Sequence, residues 1–594
     1  MIEARVYRAA FIPALLALVL AMFSFQSRPR PLPQGLAADI LFDGREAARL
    51  AARIATDQPD RRAGEPGDRA TAELVARQLE ARGFQPDQIE RQRFTHAGQR
   101  LENVIARRAG GSRRQIVIAA ARDAGAVPDG PGSASDTAAL LELARVFEGR
   151  PSRKTLVLAS VDGSTLGEVG TERLVSELGS PGFVDAVLIM SSLGSDSSDP
   201  SVEAWSNDSR RGGIGLQRTV ADSIRQELDR SEGGTGALGQ LARLAFPIGI
   251  GSQGVLLAEG YEAVRISGSG ELPPDGDGLV EAIDEDRLGA LGRATLRTVT
   301  ALDQARRPRH GPESYVLAVS QVLPGWVLSL LAGTLLLPVL VASVDAFARA
   351  RRRRIEVLPW LRWLGGWVAP FLAGLAVAEL CALTGATPPP PPAPVAPALL
   401  PLDGPALGVL GGVVAAMLLA LGLARWLAAR PDPRLKVPDE PGAAVALALA
   451  IAVGSLGLWI LNPYAGLLAV PAAHLWVLAV LIRPVPSRRA RLAMVAAGLL
   501  GPLFVTVYYL FSLSLDPLHG AWYLLMLVTG HGVSLALSLA GCLLLAAACA
   551  TAELTWRIPG EEEPAPGEQG PSIYGPGAYA GPGSLGGTRS ALRR

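Results

Sequence analysis

QIVIAAARDAGAVPDGPGSASDTAALLELARVF, residues Gln115–Phe147, is the stretch from which the fold is read. Gln115–Asp123 is a short apolar run rich in β-branched residues and bounded by turn signals, the pattern of a strand buried on both faces. A Gly/Pro/Ser-rich loop, Gly125–Ser135, follows. Asp136–Phe147 then places Leu140, Leu141, Ala144 and Phe147 on one helical face, with Ser135 or Asp136 placed to cap the first turn. Lys154–Asp162 (KTLVLASVD) is the next buried strand, and Gly163–Glu168 is a turn at its carboxyl end. Strand, helix and strand in this order predict an open α/β sheet, in which ligands sit beyond the carboxyl ends of the strands. Working outward, Asp43–Asp57 and Ala70–Arg82 read as helices. Asp185–Met190 and Glu262–Gly268 read as strands, and Asp284–Asp303 as a closing helix. The α/β domain is placed at 38–308.

Two further stretches fit one pattern with this core, Arg62–Phe84 as an opening helix and Glu102–Gly110 as a first core strand, with Asp136–Val146 as the helix that follows a ligand-bearing loop. Taken together, residues 40–305 resemble the di-zinc aminopeptidases of metallopeptidase family twenty-eight. The resemblance implies a doubly wound, zinc-aminopeptidase-like fold. It also implies two zinc ions held by a His, a bridging Asp, a Glu, a second Asp and a second His, with one more Glu as general base. Such ligands suit zinc, which lowers the pKa of a bound water and so creates the nucleophile.

Carried over residue by residue, most of that set is missing. The His-x-Asp falls on Ala121-Arg122-Asp123. The bridging Asp is Asp136, followed by Thr137 where the family has Asn. The Glu-Glu pair falls on Ser164-Thr165, and the second Asp falls on Ser191 or Ser192. No histidine lies between His96 and His310 to serve as the last ligand. The remnant cleft is therefore Asp123, Asp136, Ser164 and Thr165, with no catalytic and no metal-ligating set, and the expected cofactor is none. Asp123 and Asp136 could hold a ligand's amine or one weak cation; the plainer reading is that Asp136 caps its helix and Asp123 ties down the loop.

At 594 residues and 49% hydrophobic, the chain is too long for one domain and too apolar to be entirely soluble. A formal net charge of +1 argues against a nucleic-acid partner. Cys381, Cys542 and Cys549 all lie in apolar segments, so neither a disulfide framework nor a Cys-x-x-Cys metal site is on offer.

Residues 1–30 read as a membrane anchor or signal peptide, with Ala9–Phe25 apolar behind Arg5 and Arg8. From Tyr315 the composition changes. Apolar spans are expected at Leu323–Val344, Trp363–Leu383, Leu407–Leu427, Ala443–Leu461, Leu467–Ile482, Leu492–Leu513 and Trp522–Ala550, a seven-span all-α bundle within 315–552. Arginines crowd Arg349–Arg354, Arg425–Lys436 and Arg483–Arg491 and are missing from Thr384–Pro405, Asn462–Gly466 and Ser514–Ala521. The positive-inside rule then predicts a multi-pass plasma-membrane protein with both termini cytoplasmic and the α/β domain exported. The loop Thr387–Leu402 (TPPPPPAPVAPALLPL) is Pro-rich and expected to be extended. Residues 557–594 read as a disordered cytoplasmic tail, where Gly581–Gly586 imitates a dinucleotide fingerprint with no strand before it.

Glu379, His474 and His531 fall inside expected spans, where ionisable groups are costly and often functional. Polar contacts between closely packed helices are the plainer reading. In plan, one anchor, an exported degenerate aminopeptidase domain and a multispan bundle, the chain is similar to the attachment subunit of the GPI transamidase. The expected function is a pseudo-peptidase binding or scaffold module, with the bilayer, a membrane-complex partner and a peptide or lipid-linked ligand as partners. The alternatives are an active zinc-dependent membrane hydrolase, and a transport or lipid-handling bundle with a regulatory ectodomain.

Overall fold

The computed structural model describes residues 3–33, 41–228, 235–274, 278–306, 311–318, 321–428 and 441–557. Strands form where aliphatic and β-branched side chains run together. They are β1 (Gln26–Ser27), β2 (Ile89–His96), β3 (Gln99–Arg108), β4 (Ser112–Ala121), β5 (Lys154–Val161), β6 (Val184–Ser191), β7 (Ser201–Glu203), β8 (Ala263–Ser267), β9 (Tyr315–Ala318) and β10 (Gln321–Pro324). Seven of them make one mixed sheet in the order β2-β3-β5-β4-β6-β8-β7. The four central strands, β5, β4, β6 and β8, are mutually parallel, and β2, β3 and β7 pair antiparallel at the flanks.

Val117, Ile118, Val157, Leu158, Val187, Leu188 and Val264 are fully buried, as continuous apolar strands covered on both faces must be. One face packs on helices Gly44–Asp57, Pro66–Ala81, Ser135–Val146, Ile214–Leu228 and Glu285–Gln304. The other packs on Val169–Leu178 and Ser252–Ala258. Strand order reverses about β4, which has β5 on one side and β6 on the other, and that reversal opens a crevice at the carboxyl ends of the strands.

Among the described residues, seven helices are long and apolar enough to cross a bilayer: Ala4–Met22, Gly325–Arg352, Leu358–Leu383, Gly404–Leu427, Pro441–Leu461, Pro463–Leu481 and Leu535–Arg557. Arg488–Gly498 and Leu500–Ser512 form a further pair, bent by 42°. These helices mark a membrane protein. The bundle core is built largely of small side chains, with Ala443, Ala446, Leu447, Ala448 and Ile451 fully buried against Trp476 and Ala550, so the backbones approach closely. The expected last span, Trp522–Ala550, is corrected: it divides into Pro517–Thr529 and Leu535–Arg557. Gly530, His531 and Gly532 make the break, with His531 exposed and left-handed at φ 62°. His531 thus stands in the turn between two helices and not within one span. The tail after Arg557 and its glycine fingerprint lie outside the described residues.

Two devices seat the α/β domain on the bundle. β1, β10 and β9 form a small antiparallel sheet that joins the segment leaving the N-terminal helix to the segment entering Gly325–Arg352. Asn462, at the turn between Pro441–Leu461 and Pro463–Leu481, accepts from Tyr464 N and Ala465 N, and its Nδ2 donates to the carbonyls of Leu244 (2.8 Å) and Ala245 (3.2 Å). Beside it, Tyr509 Oη donates to the Phe246 carbonyl. The Arg243 guanidinium pairs with Glu271 and donates to Tyr508 Oη at 2.7 Å.

Candidate functional site

The crevice faces the bundle and encloses a cavity of about 810 Å³. Its floor comes from the ends of β4, β5, β6 and β8. Its roof comes from the strap Pro394–Leu402 and from Leu513–Asp516 and His519. The strap lies tightly on the domain. Gly167, at φ +87°, would put any Cβ 2.4 Å from Pro392 Cδ, so this turn needs glycine both for its backbone conformation and for contact. Tyr523 Oη donates to the Val395 carbonyl at 2.8 Å and holds the strap from the bundle side.

Within the cleft the remnant residues bond to one another. Asp123 accepts four hydrogen bonds: Oδ1 from Ser164 N (3.0 Å) and Oγ (2.7 Å), and Oδ2 from Thr165 N (2.8 Å) and Oγ1 (2.7 Å). The serine and threonine that stand in place of two carboxylates are therefore its donors. Asp136 does not cap its helix, which starts at Ser135. Its two oxygens reach across the cleft to Ser192 N (2.8 Å) and Leu193 N (2.9 Å), at the end of β6 where the second Asp was sought. Asp123 and Asp136 thus each tie one strand-end loop to another. Burial raises both carboxyls, Asp136 to about 8, against the pull of these donors.

Two residues of the site carried no motif. Glu168 lines the cleft at 5% exposure, with left-handed φ of 62°, and its Oε2 accepts from Ser252 Oγ (2.6 Å) and Thr171 Oγ1 (2.8 Å). Burial pushes it up to about 7. Its place between Gly167 and Gly170, on a turn beyond a buried strand, was the available signal. Arg265, on β8, is also 5% exposed. It donates to Ser191 Oγ (3.3 Å) and the Glu271 carbonyl (2.8 Å), which puts a guanidinium beside the strand end that lacks a carboxylate. Beneath the floor, the fully buried Arg122 is held bidentate by Asp68 at 2.8 and 3.0 Å, with Asp162 at 3.3 Å and the Glu102 carbonyl at 2.7 Å. Burial works against the Arg122 charge, but Asp68 and Asp162 outweigh it and hold the guanidinium ionised.

The polar residues of the spans lie elsewhere. His474 bridges helices, with Nδ1 2.5 Å from Tyr7 Oη, Nε2 2.8 Å from the Leu335 carbonyl, and its ring stacked on Phe11. Glu379 is half-buried on Leu358–Leu383. Neither lines the cleft. Among the described residues no three His, Cys, Asp or Glu side chains gather so as to hold a metal ion.

No family model matches the chain, and no curated protein matches it. Among solved structures, the chain is similar to a glutaminyl cyclase of an Acidobacteriales bacterium, at 18% identity and a TM-score of 0.36 over 47% of this chain and 99% of that one. It is similar to LapB of Legionella pneumophila at 15% identity and a TM-score of 0.39, over 49% of this chain and 81% of that one. It is also similar to a zinc aminopeptidase of Bacillus subtilis at 12% identity and a TM-score of 0.36, over 47% of this chain and all of that one. Identity this low transfers no residue role.

Proposed function

We propose that the protein is a membrane-anchored binding module whose cleft holds a ligand without hydrolysing it. The observation that carries this reading is the use made of Asp123 and Asp136. Asp123 spends its acceptors on Ser164 and Thr165, and Asp136 spends one lone pair of each oxygen on the β6 loop. Ala121 offers no donor atom, and the Arg265 guanidinium adds fixed positive charge close by. Zinc does not fit this donor set. It requires several free nitrogen or oxygen ligands and is repelled by a neighbouring cation.

What the cleft retains suits recognition. It is concave and roofed, and the second lone pairs of Asp136 and the unshared Oε1 of Glu168 remain acceptors for a hydroxyl or an amine. The alternative, an active zinc hydrolase, needs a metal-activated water, and these residues do not offer the ligands for that metal even though Glu168 stands in the cleft as a carboxylate.

The test uses the full-length protein in detergent, incubated with excess zinc, passed through a desalting column, and assayed for metal and for turnover of a mixed aminoacyl substrate library. Substoichiometric zinc and no turnover are expected. Stoichiometric zinc together with chelator-sensitive turnover would refute the reading.

A further inference from the structure

A second cavity, of about 590 Å³, opens laterally between helices of the bundle below the first, with Leu524 and Leu545 of its wall exposed. It runs along the whole face of Leu500–Ser512, from Leu499 at the bend to Leu513 at the top, and is walled on the far side by Leu524, Leu537 and Leu544. Thirteen helical residues at 1.5 Å each make it roughly 20 Å long. That is on the scale of one leaflet, half of the ~30 Å hydrocarbon core. Its wall is almost wholly apolar, so water gains little there. The bend of 42° at Leu499 and the division after Thr529 hold these helices apart where close packing would otherwise fill the space.

The upper end meets the cleft. Leu513 and Leu515 line both cavities, so an apolar slot and a carboxylate-bearing chamber adjoin at those two side chains. We propose that the slot holds the apolar chain of a single lipid whose head, carrying hydroxyl or amine groups, sits in the cleft above. The assignment of the head follows from the hydrogen-bonding groups left unshared. Asp136 and Glu168 keep carboxyl lone pairs unshared in a chamber lined also by Asp129 and Asp123, and the one guanidinium there, Arg265, is bonded to Ser191 and to the Glu271 carbonyl, so a head with hydroxyl or amine donors is favoured over a phosphate. The head assignment rests on the reading of the cleft as a binding site, whereas the chain site stands on the bundle alone.

Gly541 offers a clean test, because it lines the slot and a Cβ added there meets nothing within 4 Å. Full-length protein in phosphatidylcholine nanodiscs is irradiated with three probes that share one diazirine-bearing alkyl chain: an alkyl amine, an alkyl glucoside and an alkyl phosphate. Labelled peptides are mapped by mass spectrometry, and melting temperature checks that each variant folds. Amine and glucoside labels are expected to concentrate at Leu499–Leu513 and Leu537–Leu545. They are expected to fall by roughly tenfold, a 1.4 kcal/mol change, in Gly541→Phe. Glu168→Gln is expected to weaken labelling by the amine while the glucoside is retained. Labels spread over the outward faces of the other spans, unchanged in Gly541→Phe, would mean bulk bilayer lipid and overturn the chain site. Strong slot labelling with all three heads equal would overturn the head assignment and, with it, the cleft as the binding site, while leaving the chain site in place.

Discussion

Glu168 shows how burial and hydrogen bonding divide a single residue's behaviour with pH. Its carboxyl has an ordinary value of 4.5 and stands at about 7 in the folded protein, chiefly because burial penalises the charge. A raised carboxyl binds its proton more tightly when folded. Its contribution to stability is therefore complete below the unfolded value near 4.5 and is lost as pH rises through about 7. Glu168→Gln does not titrate, and the hydroxyls of Ser252 and Thr171 keep a partner. The variant should melt above the parent at pH 8 by a margin equivalent to on the order of 2 kcal/mol, and the margin should shrink steadily towards pH 4.5. Scanning calorimetry of both proteins in one detergent would check this, and a margin independent of pH would refute it. At this scale the sequence disclosed the losses better than the replacements. Ala121, Ser164, Thr165 and Ser192 can be read against a motif. Glu168 and Arg265 cannot, because their roles depend on which strand ends meet.

Among the elements, the turn Leu461–Pro463 joins the domain to the bundle through one side chain. Asn462 caps Pro463–Leu481 and bonds two carbonyls at the end of helix Ala237–Ala245, so one side chain serves both the bundle and the domain. Asn462→Ala removes the cap, worth ~0.5–2 kcal/mol, and leaves Leu244 and Ala245 without those donors. Faster amide exchange over Ala237–Ala245 is expected, with β4 and β5 unchanged; equal protection in the variant would show that Arg243 and Tyr509 suffice to hold the domain. The parallel strands and most spans were legible because continuous apolar runs of strand or bilayer length have few alternatives. Trp522–Ala550 misled for the same reason. Its hydropathy is unbroken, and the interruption rests on Gly530 and Gly532 flanking a left-handed His531.

In the whole molecule, the cleft faces the bundle at the end where Asn462, Leu513 and the strap meet the domain. Arginine-rich turns such as Arg351–Arg354 lie at the opposite end of Gly325–Arg352. If the basic end is cytoplasmic, as the positive-inside rule requires, the cleft and strap lie on the other side of the membrane. Reporters fused after Arg354 and Arg491 should then read cytoplasmic, and those after Gly268 and Pro391 exported. A cytoplasmic signal at Gly268 would reverse the molecule. The roof itself was not legible in the sequence. A proline-rich loop announces extension, but its seat on Gly167 and Tyr523 is a contact between segments far apart in the chain.

That strap has a kinetic consequence. It is carried on the ends of two long helices, Leu358–Leu383 and Gly404–Ala428, which pack along each other, and it is clamped at both Pro392 and Val395. An ordinary surface loop clears an opening in nanoseconds to microseconds, but a lid fastened to a helix pair moves at the pace of the pair, in microseconds to milliseconds. Exchange of a ligand that must lift the strap is therefore expected on that slower scale, and freeing the strap by Tyr523→Phe should speed it.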